Sequence, residues 1–84
     1  IAYIISDHPE KIAEHIFQEL GRGITGLEGQ GMYSGKHKIV LMCVVSKKEA
    51  VSLKDIVKSA DKEAFLILSE AKEVLGEGFW REMQ

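Results

Sequence analysis

The sequence predicts an α+β sandwich: a four-stranded antiparallel sheet in the order 4-1-3-2, with two helices on one of its faces. Three observations predict it. Segments rich in β-formers alternate with segments of helical periodicity, in the order strand, helix, strand, strand, helix, strand. A glycine-rich stretch joins the two middle strands. Right-handed crossovers then place both helices on the same side. This is the ferredoxin-like arrangement, and it leaves the second sheet face without a helix.

The first strand is Ile1 to Ile5, a short apolar run of β-formers. Asp7 is placed to cap the helix that follows, with Glu10 as its capping-box partner and Pro9 in the first turn, where no N–H is needed. Ile12, Ala13, Ile16, Phe17 and Leu20 form that helix's apolar stripe, and the whole stripe is expected in the core. Gly21, in the sequence Gly-Arg-Gly, suits a left-handed C-cap. Ile24 to Glu28 reads as a second strand, weakened by Gly26.

Lys38 to Ser46 is the clearest strand in the chain. Its two alternating sets, Ile39/Leu41/Cys43/Val45 and Val40/Met42/Val44, are both apolar. A strand apolar on both faces belongs in the middle of a sheet, with something covering each face. The second helix carries Ala50, Leu53, Ile56, Val57 and Ala60 as its stripe, with Ser46 as the cap and Glu49 completing a capping box. Ala64 to Ser69 is the last strand. Ala71 to Leu75 either extends it or turns, and Gly76 and Gly78 break any helix there. Phe79 and Trp80 then either seal the core edge or meet a partner.

At 84 residues the chain is a single small domain spanning 1–84. It enters strand-like sequence at once and begins without methionine, which reads as a piece cut from a longer protein. A formal charge of -2 gives no reason to expect nucleic acid. Cys43 is the single cysteine, so no internal disulfide forms and no zinc site has its second thiolate. The longest strongly apolar run, Ile39 to Val45, is far short of the roughly 20 residues of a membrane helix.

His8, His15 and His37 do not share an element at metal-ligand spacing, and each reads as a surface residue. Ser6, Asp7 and His8 are adjacent in sequence, which is not triad geometry. Neither a catalytic set, a metal nor a cofactor is expected. The stretch Gly29 to Lys38 is not a phosphate-binding loop, because its lysines precede no Ser or Thr and no helix follows. It serves first as a hairpin turn, with Tyr33, Lys36 and His37 as its exposed chemistry and backbone amides available for an anion. The helix-free sheet face, with Val40, Met42 and Val44 on it and Phe79 and Trp80 beyond, is expected to seek a partner.

The segments IISDHPEKIAEHIFQELGRGITGLEGQGMYSG, KIVLMCVVSKKE and LKDIVKSADKEAFLILSEAKEVLGEGF together resemble the C-terminal domain of bacterial YitT-type membrane proteins, a domain of unknown function in the PII-like group. The resemblance covers nearly the whole chain and implies several things. Membrane helices precede Ile1 in the full-length protein, and the domain hangs on the cytoplasmic face of the membrane. A homo-oligomer, dimer or trimer, is expected from the open apolar sheet face rather than from the resemblance. Relatives of this group bind small anionic ligands or nucleotides near the hairpin, which marks Gly31, Tyr33, Ser34, Gly35 and Lys36 as ligand-binding candidates. The function expected is a non-catalytic regulatory or assembly domain. The rival readings are a structural appendage without a ligand, and an enzyme.

Overall fold

The computed structural model describes residues 1–70. Strand β1 (Ala2–Ile5) leads into helix α1 (Pro9–Leu20). Strands β2 (Thr25–Gln30) and β3 (His37–Cys43) form a hairpin, followed by helix α2 (Lys47–Ala60) and strand β4 (Phe65–Leu68). The sheet order is β2-β3-β1-β4 with every neighbour antiparallel. Read from the other edge, this is the order 4-1-3-2. β3 is a central strand, as its two apolar faces require.

Both helices cover one face. Ala2 and Ile4 of β1, Leu41 and Cys43 of β3, Ile12 and Ile16 of α1, and Leu53, Ile56, Val57 and Ala60 of α2 form one buried cluster. Side chains two apart on a strand share a face, so β1 and β3 each give alternate residues to this core. Full burial of a Leu or Ile side chain contributes about 1.5–3 kcal/mol. Ile4, Ile12, Ile16 and Leu53 are wholly enclosed, so each makes that full contribution.

α1 departs from expectation at two points. Its N-cap is His8, not Asp7, and no side chain caps it. Proline at the first helical position disfavours helical geometry in the residue before it. His8 (φ -127°, ψ 58°) therefore takes the boundary, and Asp7 lies one residue too early to cap. The His8 backbone N–H is instead bonded to Ser6 Oγ at 2.9 Å. The second departure is Phe17, which is exposed although it extends the apolar stripe. Each helical residue turns about 100° from the last. With Ile12 and Ile16 aimed at the sheet, Phe17 is carried onto the helix flank. At the other end Gly21 adopts φ 65°, and its N–H closes on the Phe17 carbonyl at 2.9 Å. That left-handed cap is where glycine avoids the Cβ clash.

α2 begins as expected. Ser46 Oγ accepts from the Glu49 N–H at 3.1 Å, and Glu49 Oε1 accepts from the Ser46 N–H at 2.9 Å. This capping box ends the third strand early: β3 stops at Cys43, three residues before Ser46. β2 runs two residues beyond Glu28, to Gln30, because Gly29 and Gln30 pair with Lys38 and His37.

Candidate interaction surface

The sheet register fixes what lies on the face away from the helices. Directly opposed residues of antiparallel strands share a face. Thr25, Met42, Tyr3 and Ile67 form one row across the four strands, and Leu27, Val40, Ile5 and Phe65 form the next. Seven of these eight residues are apolar or aromatic. Phe65 is 69% exposed, Ile67 50% and Leu27 41%, while Tyr3, Ile5, Val40 and Met42 are half-buried. No described helix crosses these rows. A contiguous apolar sheet face on a small domain is a place where another surface docks.

Of the interface residues expected from sequence, Val40 and Met42 stand in the middle of this face. Val44 is half-buried just past the end of β3. Phe79 and Trp80 lie outside the described residues. Tyr3, Ile5, Leu27, Phe65 and Ile67 are the members that sequence reading missed. Their signal is the parity of each strand, and parity becomes a face only when the partner register is known.

The hairpin between β2 and β3 is tightly self-bonded. The Gly31 N–H donates to the Lys36 carbonyl at 2.9 Å, and the Gly35 N–H donates to the Gly31 carbonyl at 2.8 Å. The Lys36 N–H donates to Ser34 Oγ at 3.1 Å, and Gln30 Nε2 donates to the Gly35 carbonyl at 3.2 Å. Gly35 sits at φ 70°, where a side chain is strained. The fold thus brings Gly31, Ser34, Gly35 and Lys36 together in one turn. Three amides that an anion nest would use are engaged inside it. Met32 and Tyr33 project from its tip fully exposed. At its base His37 Nε2 lies 3.7 Å from Glu28 Oε1, and Lys38 Nζ lies 3.8 Å from Asp7 Oδ1.

A polar cluster lies where β1 runs into α1. Ser6 Oγ donates to Asp61 Oδ2 at 2.5 Å, and Asp61 Oδ1 accepts from the Glu63 N–H at 3.0 Å. The Ser6 hydroxyl, followed by that backbone donor, holds the Asp61 carboxyl below the usual aspartate range. The serine proton goes straight to a carboxylate, with no imidazole between them to act as base. Among the described residues, no group of three His, Cys, Asp or Glu side chains is placed to hold a metal ion.

Among the described residues the most buried charge is Arg22, at 3% exposure. Its Nε donates to Glu49 Oε2 at 3.0 Å and its Nη2 to Glu49 Oε1 at 2.6 Å. The hydrogen bond from Arg22 is the main reason that the Glu49 carboxyl titrates below an ordinary glutamate. The pair ties the α1–β2 connection to the first turn of α2, and so fixes how the two helices sit together.

Comparison with known proteins places this architecture. Residues 22–76 match the family model described as an uncharacterized protein conserved in bacteria, DUF2179. The chain belongs to that family. A crystal structure of a DUF2179 protein from Eubacterium ventriosum superposes with a TM-score of 0.71 at 37% identity, over 81% of this chain and 93% of that one. An uncharacterized protein in the cccA 5' region of Bacillus sp. (strain PS3) is 46% identical across 96% of this chain. The UPF0750 membrane protein YvjA of Bacillus subtilis is 42% identical over the same share, and the UPF0750 membrane protein YitT of that organism is 28% identical over 89%. The resemblance to YitT-type proteins therefore holds. The DUF2179 chain spans 54% of the first relative's length, 29% of YvjA and 27% of YitT. No described helix is long and apolar enough to cross a membrane.

Proposed function

We propose that this DUF2179 domain is a non-catalytic assembly and regulatory module of a membrane protein, held on the cytoplasmic face and working through its helix-free sheet face. The observation that carries this reading is the double row of apolar side chains from Thr25–Met42–Tyr3–Ile67 and Leu27–Val40–Ile5–Phe65. A second copy of the domain is the occupant. The relatives' names supply the membrane, since several are membrane proteins in which the matched region is a little over a quarter of the length.

The energetics make such pairing weak but usable. Covering what remains exposed of Phe65, Ile67 and Leu27 gains about 1 kcal/mol each, or roughly 6 kcal/mol for two copies. Association costs on the order of 4–15 kcal/mol. Free domains therefore sit near balance. Domains tethered in one assembly meet at an effective concentration on the order of mM, which favours pairing. Sedimentation equilibrium over a dilution series tests this: mass that grows with concentration supports pairing, and a constant monomer mass removes it.

The regulatory part of the proposal is an anionic ligand at the hairpin. Lys36 is the cation that the turn presents, with Tyr33 beside it. The engaged amides of Gly31, Gly35 and Lys36 leave the side chains as the donors for such a ligand. Calorimetry with a panel of nucleotides and phosphorylated metabolites tests it. Heat that vanishes in Lys36→Ala supports a ligand, and silence across the panel favours a structural appendage.

A further inference from the structure

The hairpin tip has a property that sheet pairing does not use. Met32 is 91% exposed and Tyr33 fully so, adjacent on a turn whose backbone is held by its own hydrogen bonds. Two large side chains are thus presented to solvent with their backbone already ordered. Their chemistry is that of a membrane interface. A thioether side chain is apolar and adaptable, and a tyrosine carries an apolar ring with a polar tip. Lys36, His37 and Lys38 follow within six residues of Met32. A lysine behind an apolar tip can lay its stem along acyl chains and its ammonium among phosphates.

We propose that Met32 and Tyr33 insert into the interfacial layer of an anionic bilayer, with Lys36 against the lipid phosphates. The tip is then a second anchor for the domain, one that touches the membrane outside any spanning helix. This rests on the proposed attachment to a membrane protein, which keeps the tip near a bilayer so that a shallow contact of two side chains suffices. Glu28 and Asp7 lie against His37 and Lys38. Lys36 is accordingly the cation assigned to the headgroups.

The test anchors the chain by an N-terminal hexahistidine to nickel-chelating lipid in vesicles, in place of the upstream segment. Tyr33→Trp in a Trp80→Phe background puts one indole at the tip. On vesicles containing phosphatidylglycerol, its emission shifts to the blue and is quenched by acyl chains brominated near the headgroup. On unanchored chain, Lys36→Gln weakens partitioning to those vesicles about fivefold, as expected for one juxtamembrane cation. Met32→Ser in otherwise unaltered chain weakens it too, and free inorganic phosphate reproduces neither spectral change. An indole emission that stays water-like and unquenched on anchored vesicles overturns the proposal. Repeating the measurement in Phe65→Glu/Ile67→Lys, which removes the sheet-face contact, separates the two readings. Quenching kept while the unaltered chain stays monomeric sinks pairing alone, and quenching lost while the unaltered chain pairs sinks the tip alone.

Discussion

Replacing Glu49 by Gln probes the joint between α1, β2 and α2 with almost no change of shape. The Glu49 carboxylate accepts three hydrogen bonds, two from Arg22 and one from the Ser46 N–H. A glutamine keeps one oxygen, sets an NH2 group against a guanidinium donor and removes the charge. Hydrogen bonds to charged groups contribute about 1.5–3 kcal/mol each. Glu49 keeps 22% side-chain exposure, so water recovers part of the loss. The expected cost is about 2–3 kcal/mol, against a total stability on the order of 4–12 kcal/mol for a domain of this size. The melting point should fall by about 10–20 °C at pH 7.

The pH dependence supplies a second reading of the same variant. The folded-state pKa of Glu49 lies below its ordinary value of 4.5. A depressed carboxylate contributes stability that is complete above the unfolded value and lost as pH falls through the folded one. The gap between the unaltered chain and Glu49→Gln should therefore hold from pH 7 to about pH 5 and narrow below 4.5. Equal melting points at pH 7, or a gap undiminished at pH 3, would refute the reasoning.

Three further outcomes follow from the geometry. Arg22→Met combined with Glu49→Gln should cost less than the sum of the single changes, read by urea titration, because both remove the same bonds. Ser6→Ala should raise the pKa of Asp61 toward that of an ordinary aspartate, read from carboxyl carbon shifts in an NMR titration, since the Ser6 hydroxyl is its main depressor. Gly35→Ala forces a Cβ into φ 70° and should lower stability by about 1 kcal/mol while leaving Gly21 and the helices unchanged, read by thermal melting and far-UV circular dichroism.

What the sequence revealed and what it hid divide along the range of the interaction. The strand–helix order, the Gly21 cap and the Ser46–Glu49 box depend on residues within four positions of each other, and all were legible. The Asp7 cap failed because Pro9, itself local, moved the helix start by one residue. Phe17 failed because a stripe read from spacing is wider than the arc a sheet covers. The Arg22–Glu49 pair joins residues 27 apart, so no local pattern announces it. The apolar face was legible as a consequence of topology, through the two apolar sets of β3. Its membership was not, because Leu27, Phe65 and Ile67 join it only through the pairing register.

The central claim is that the helix-free sheet face meets a second copy of the domain. Methyl NMR across a dilution series reads that face directly. The account predicts that the methyl signals of Leu27, Val40 and Ile67 move with concentration while those of Ile4, Ile12 and Leu53 stay fixed. Signals that do not move at any concentration, or movement centred on Val51 of the outer helix surface, would contradict it.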